Sequence, residues 1–222
     1  MIRISPPFFQ LHPNTGPDCI CSRAFLVTFM KRLFMKNFTL LASAIMLTLA
    51  GLRAQSEAEM KAWQEFMTPG SMHQMMAKFN GEWNEDITHW MQPGAEGMKS
   101  TASCVNSMIL GGRYQESRHT GSFFGMPFEG LSWLGYDNGK KLFVSTWIDN
   151  MGSGIATMEG PWDEKNKTID LRGKATDPMT GKDVPMRQVF KILDDNTQVV
   201  EMYGVYQGKE FKNMEIRLTR KN

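Results

Sequence analysis

The sequence predicts an all-β domain of about ten short antiparallel strands, preceded by a short helical segment. Three observations carry this. Apolar and polar residues alternate along many short segments after Gly81. Turn-forming residues punctuate those segments at close intervals. Helix-like spacing of apolar residues is confined to the stretch before Gly81.

The first element in chain order stands outside this fold. Lys31, Arg32 and Lys36 precede an apolar run, Phe38–Leu49, which is followed by Leu52–Arg53–Ala54. The run suits the core of a secretory signal and falls short of the ~20 residues that a bilayer span needs. Cleavage is expected after Ala54, with a cut after Ala50 as the alternative. Retention of the run as an anchor is the competing reading. No cysteine follows it closely, so no lipid anchor is expected. Residues 1–34 carry Pro6–Pro7, Pro13, Pro17, Cys19 and Cys21 without a clean period, and they make an overlong lead to a signal. Translation is therefore expected to start at Met30 or Met35. The resulting organisation is a signal peptide with an upstream extension over 1–54, a helical segment over 55–80 and the β-domain over 81–222.

Removing the leader changes the totals. A cut after Ala54 leaves 168 of the 222 residues. Lys plus Arg falls from 25 to 19 and Asp plus Glu from 23 to 22, so the net charge passes from +2 to −3. An acidic domain offers no charge-based case for nucleic acid binding. Cys104 is the one cysteine left. It cannot form an internal disulfide, so the domain holds by its core. The expected location is periplasmic or secreted, with no membrane anchor after cleavage.

The helical segment has two parts. Met60, Trp63, Phe66 and Met67 recur at spacings of three and four over 57–68. Pro69–Gly70 interrupts the pattern. A second helix is expected over 71–79, capped by Ser71, with Met72, Met75, Met76 and Phe79 on its apolar side. Methionine on such a face fills core.

Strands are expected at 82–90, 100–109, 112–119, 124–136, 141–149, 154–160, 167–173, 186–193, 197–206 and 211–220. The intervening turns carry suitable residues, among them Pro93–Gly94, Gly111–Gly112, Asp137–Asn138–Gly139, Asp194–Asp195–Asn196 and Gln207–Gly208. In the last strand Met214, Ile216 and Leu218 alternate with Asn213, Glu215, Arg217 and Thr219. A two-sheet sandwich and a barrel both fit this period, and alternation alone does not say which face is inside.

Candidate site residues follow from charges set inside β-patterned segments. Glu85, Arg113, Glu116, Arg187, Glu201, Glu215 and Arg217 are of this kind. Facing inward they would need partners or a ligand, because unpaired burial is costly; facing outward they would simply meet solvent. An anionic head group would suit Arg187 and Arg217. Aromatic residues recur along the strands, including Trp83, Phe128, Trp147 and Tyr203, and fit either a cavity wall or an ordinary core. Three histidines follow the leader: His73, His89 and His119. No pair has the spacing of a helical metal site, and Cys104 adds no motif, so neither a metal nor a cofactor is expected. A histidine-ligated group would have to use one of these three, with His89 and His119 the better placed. No Gly-x-Ser-x-Gly elbow and no phosphate loop exist, and no catalytic residue is assigned. Asp149 precedes a glycine-bearing turn, Asn150–Gly154, which reads as a tight hairpin.

Taken together, several motifs resemble a known family. They are Gly81–Glu82–Trp83, Leu110–Gly111–Gly112–Arg113, Phe128–Glu129–Gly130, Leu134–Gly135–Tyr136–Asp137–Asn138, Ser145–Gly154, Asp177–Pro178, Glu201–Met202–Tyr203 and Met214–Glu215–Ile216 with Thr219–Arg220. Over roughly 71–220 the chain resembles the bacterial DUF1579 family, most specifically in Ser145–Gly154. The resemblance implies a lipocalin-like (calycin-type) barrel, a class that often carries small apolar ligands. It implies architectural roles for Gly112, Gly130 and Gly135, and for Trp83 in closing one end. Some ten-stranded relatives hold haem through a histidine near the chain end. No histidine here lies beyond His119, so that ligand does not carry over.

The sequence is thus read as a secreted single antiparallel β-barrel that binds a small hydrophobic or amphipathic ligand. Arg187, Arg217, Glu201, Trp147 and Tyr203 are expected to line its cavity, with Glu215 and Arg113 as further ligand-binding candidates. An enzyme using Asp149 and Glu201 as an acid pair is a second reading, and an envelope scaffold or interaction domain a third.

Overall fold

The computed structural model describes residues 56–221. The leader, Cys19, Cys21 and the expected start and cleavage positions lie outside the described residues. The chain divides into two compact units between Met60 and Lys61. Of the first, residues 56–60 are described, and they are helical and exposed. In the second unit, residues 61–67 form a helix, α1.

The second unit is a closed antiparallel barrel of ten strands with one short extra strand. Helix α2 is Ser71–Ala77, and the strands are β1 (Gly81–His89), β2 (Met98–Ile109), β3 (Tyr114–Phe123), β4 (Met126–Asp137), β5 (Leu142–Asp149), β6 (Ala156–Gly160), β7 (Trp162–Asp163), β8 (Thr168–Thr176), β9 (Asp183–Asp194), β10 (Thr197–Tyr206) and β11 (Lys209–Arg220). Hairpin connections lay β6 through β1 side by side. β11 then pairs with β1, and β10, β9 and β8 follow. The barrel closes where β6 meets β8, over Thr157↔Lys174, Met158↔Gly173 and Glu159↔Arg172. β7 is a two-residue strand on the edge of β8, which the sequence does not announce.

Closure of the barrel depends on two glycines. A Cβ at Gly160 would lie 1.8 Å from the Asp170 carbonyl oxygen, and one at Gly173 would lie 2.0 Å from that of Thr157. Neither strand has room for a side chain there. Gly130 and Gly135 instead lie beneath aromatic rings, of Trp147 and Tyr114 respectively. The turn after β2 places Leu110, Gly111 and Gly112 at positive φ, which delays β3 to Tyr114.

Register decides which face is inside. Trp83 pairs with Cys104 and Cys104 with His119, while Glu85 pairs with Leu218. Phe143, Ser145, Ile169, Leu171 and Val200 fall on this same face and are buried. The alternation that sequence leaves ambiguous is therefore resolved as an inner face that carries the buried core and an outer face that carries ion pairs.

Helix α2 closes one end. Its N-cap is Gly70, not Ser71, and the Gly70 N–H donates to Nδ1 of the buried His73 at 3.0 Å. Met76 packs with Phe143, Met158, Ile169 and Leu171. Phe79, just past the helix, packs with Trp83, Cys104, Val200 and Leu218. Each large apolar side chain so buried contributes about 1.5–3 kcal/mol. Trp83 is wholly buried at this end, and its indole N–H donates to the Phe79 carbonyl. The last carbonyls of α2 and its exit find side-chain donors in Gln115 (to Met76, 2.7 Å) and Asn106 (to Phe79, 3.2 Å). α1 is tied down at its end: Asn138 donates to the carbonyls of Glu65, Phe66 and Thr68, and Arg113 to that of Met67.

Candidate functional site

The two ends of the inner face differ. At the α2 end the inward Trp83, Phe143, Ile169 and Leu171 are fully buried, with Met108, Leu134, Tyr136 and Phe190 partly buried around them. At the opposite end the inward Ile87, His89, Phe128, Trp147, Met202 and Met214 are all only half-buried. Around it Met91, Phe124, Met151, Ile155 and Met179 in the connections, and Met126 at the start of β4, are each between 41% and 90% accessible. These residues lie in or beside four separate connections, so the rim is apolar on several sides.

Between the closed and open ends lies a polar group built on three adjacent strands. β1 supplies Glu85, β2 supplies Cys104 and β3 supplies His119. The Cys104↔His119 pairing across the β2–β3 hairpin brings two residues fifteen positions apart side by side. His119 Nδ1 meets Glu85 Oε1 at 2.9 Å, in a pair only 14% and 3% exposed. Its Nε2 faces Cys104 Sγ at 3.9 Å. The thiol donates to Asn106 Oδ1 at 3.1 Å. Burial, and then the Glu85 carboxylate, push the Cys104 thiol far above its ordinary range, so without a cation beside it the sulfur stays protonated. A nucleophilic thiolate is thereby disfavoured.

Trp147 forms the wall toward the mouth. Its ring lies 5.1 Å from that of His119 and stacks with Phe128 at 6.3 Å. Gly130 makes this possible, since a Cβ there would stand 2.6 Å from the indole. The indole N–H donates to Asp149 Oδ2 at 2.6 Å, while Asp149 Oδ1 accepts from the backbone of Met151 and Gly152. At the open-end terminus of β1 and at the bulge of β11, His89 Nδ1 and Asn213 Oδ1 are buried with no hydrogen-bond partner among the described residues. Asn213 is the extra residue of a bulge between β10 and β11, which turns its amide under Gly204. Burial holds His89 below the ordinary histidine range, favouring its neutral form.

The expected cavity residues separate. Trp147 faces inward. Arg187, Glu201, Tyr203, Glu215 and Arg217 lie on the outer face, opposite in register to Val200 and Leu218. They do not line the interior, because each is one residue out of step with the buried set. Four of these five are joined by polar contacts. Arg187 is paired with Asp170 at 2.9 Å and Glu210 at 3.1 Å, and lies over the Tyr203 ring at 4.8 Å. Tyr203 donates to Glu201, and Glu201 pairs with Lys191 at 2.8 Å and Lys212 at 3.5 Å. Lys212 also pairs with Glu215. Arg217 is exposed beside this cluster. Arg113 serves α1 at the other end. Asp149 and Glu201 fall on opposite faces of non-adjacent strands, so the acid pair does not form. An open hollow of about 420 Å³ lies between Gly70–Met72 and the β4–β5 turn, away from the polar group.

A family profile described as "Protein of unknown function (DUF1579)" matches residues 68–220. The chain belongs to the DUF1579 family. No curated protein matches it. Among solved structures it is similar to the crystal structure of Rv2717c from M. tuberculosis, at 13% identity and a TM-score of 0.52, covering 70% of this chain and 100% of that one. A redesigned β-barrel, b11L5F_LGL, aligns at 12% identity and a TM-score of 0.37, over 69% of this chain and 100% of that one. The likeness to Rv2717c is one of fold. The DUF1579 match takes in the whole barrel, including the strands that carry Glu85, Cys104 and His119.

Proposed function

We propose that this DUF1579 barrel binds a small amphipathic molecule through its open end, apolar part inward, and that it does so outside the cytoplasm. The observation that carries the reading is the half-buried inner lining of Ile87, Phe128, Trp147, Met202 and Met214 beneath an apolar rim. Apolar walls with a few convergent polar groups are the usual make-up of a small-molecule site. The unpartnered Nδ1 of His89 and Oδ1 of Asn213 would receive the ligand's polar atoms. The location rests on the Phe38–Leu49 run and its basic flank.

Native mass spectrometry of protein purified from its own host tests both parts. The expected result is a chain beginning at Gln55 that carries a bound small molecule recoverable by organic extraction. Binding should quench Trp147 fluorescence, and Trp147→Ala should weaken affinity by roughly tenfold, the scale of a lost aromatic wall. A ligand-free mass, together with no change in fluorescence on adding fatty acids or quinones, would refute binding. A cytoplasmic chain that retains the Phe38–Leu49 run would refute the location.

A further inference from the structure

We infer that Cys104 and His119 form a binding site for a zinc-class divalent cation in the barrel interior, with Glu85 holding the histidine ring in place. The inference is independent of the amphipathic ligand and stands on geometry, donor chemistry and charge.

The geometry is that of two ligands awaiting one ion. Zinc sits about 2.3 Å from a thiolate sulfur and about 2.0–2.1 Å from an imidazole nitrogen. Those lengths span the 3.9 Å between Cys104 Sγ and His119 Nε2 at an angle near ~127°, and an inward shift of about 0.4 Å brings it to tetrahedral. Glu85 occupies the other ring nitrogen at 2.9 Å. This carboxylate–histidine contact places the proton on Nδ1 and turns the Nε2 lone pair toward the sulfur. Histidine ligands are ordinarily oriented this way by a partner behind the ring. Asn106 Oδ1, 3.1 Å from the sulfur, is a third donor in reach.

Donor type and charge agree with this. A thiolate beside an imidazole favours zinc and its soft neighbours over magnesium, calcium or manganese, which prefer oxygen. Glu85 is a carboxylate only 3% exposed, with His119 its one ionisable partner among the described ion pairs. A divalent ion that displaces the thiol proton to solvent leaves the group of cation, thiolate and carboxylate neutral. That removes the cost of a buried unbalanced charge. One ligand atom each of Glu85, Cys104 and His119 lies within 4.8 Å of the other two.

Cobalt(II) reports the site directly, because a thiolate ligand gives it a near-ultraviolet charge-transfer band and tetrahedral geometry gives strong visible bands. The full chain carrying Cys19→Ser and Cys21→Ser, so that Cys104 is its only thiol, is stripped with a chelator and titrated with cobalt, then zinc. One cobalt per chain with a thiolate band, displaced by zinc, is the expected result. Cys104→Ala should abolish the band while circular dichroism shows the barrel intact. His119→Gln should weaken binding at least about 100-fold, and Glu85→Gln about 10- to 100-fold, as removal of an orienting partner does. No thiolate band in the Cys19→Ser, Cys21→Ser chain overturns the site without recourse to a core variant. A band that persists in Cys104→Ala, or affinity unchanged in His119→Gln, overturns it equally.

Discussion

The β6–β8 seam makes the barrel a barrel, and Gly173→Ala tests it most sharply. In the native structure a Cβ at this position would lie 2.0 Å from the Thr157 carbonyl oxygen and 2.8–2.9 Å from Met158. Two of these three atoms are backbone, so no side-chain rotation relieves the clash. β6 must move away from β8 by more than an ångström, against a normal interstrand spacing of about 4.8 Å. The seam has only three register pairs with which to resist that movement. Overpacking that shifts backbone costs about 1–3 kcal/mol. Two weakened ladder hydrogen bonds add about 0.5–1.5 kcal/mol each. The expected loss is about 2–6 kcal/mol, a large share of the roughly 5–15 kcal/mol that holds a domain together. Urea unfolding followed by tryptophan fluorescence measures it. With a slope of about 2 kcal/mol per molar, the midpoint should fall by about 1–3 M. Gly154→Ala is the matched control, because nothing lies within 4 Å of a Cβ there. A Gly173→Ala midpoint no lower than that of Gly154→Ala would refute the role assigned to the seam.

Two further predictions concern the stability of the same unit. Arg220 donates to the carbonyls of Lys78, Asn80 and Asp195 and lies 4.4 Å from the Trp83 ring, so it joins α2, β1 and the β9–β10 turn. Arg220→Ala should cost about 2–3 kcal/mol in urea unfolding, and Arg220→Lys should recover less than half of that, since an ammonium cannot fork to several carbonyls. On the outer face, Arg187 holds the Asp170 carboxyl below the usual aspartate range. A carboxyl depressed on folding stabilises above its unfolded value of about 3.9, and that contribution is lost as pH falls through the folded value. Asp170→Asn should therefore flatten the acid limb of the stability–pH curve below about pH 4. Its cost at neutral pH should be no more than about 1 kcal/mol, as expected of a partly exposed pair. An unchanged acid limb would count against the Arg187 contact.

Most strands were legible because their turns carry unmistakable chemistry, as Asp137–Asn138–Gly139 and Gln207–Gly208 do. The boundaries that moved have local causes. Leu110–Gly112 takes a run of positive φ that no period reveals, and β9 begins early because Pro185 is tolerated within it. The site was harder to read. Alternation gives two faces and does not label them, so Glu201, Arg187 and Arg217 were equally consistent with an interior. The label comes from pairing partners: once Leu218 lies beside Glu85, Ile216 and Met214 are inside with it, up to the bulge at Asn213 that reverses the phase. Cys104 and His119 carry no linear motif because their proximity is created by hairpin register, fifteen residues apart. The available signal is that Glu85 shares its phase with Trp83 and Ile87, and Cys104 with Ala102 and Met108, whereas His119 shares its phase with Gln115 and Ser117 and carries no such mark.

Not every buried polar residue here points to function, and their partners separate the cases. Gln115 and Asn106 donate to the carbonyls of Met76 and Phe79, beside the bonds those carbonyls accept from the Phe79 N–H and the Trp83 indole. Those two side chains are explained by the fold, since their amides tie the end of α2 to the barrel wall. Arg220 does the same from the outside. Glu85 and His119 stand apart: among the described hydrogen bonds their side chains serve each other and the Cys104 sulfur, and no backbone group of a helix or turn depends on them. A well-packed apolar pair of similar volume would hold β1 and β3 together at least as well, because one hydrogen bond to a buried carboxylate rarely repays its desolvation. Stability alone therefore does not account for a carboxylate and an imidazole at the waist of the barrel. A bound cation does, and it also accounts for the sulfur beside them.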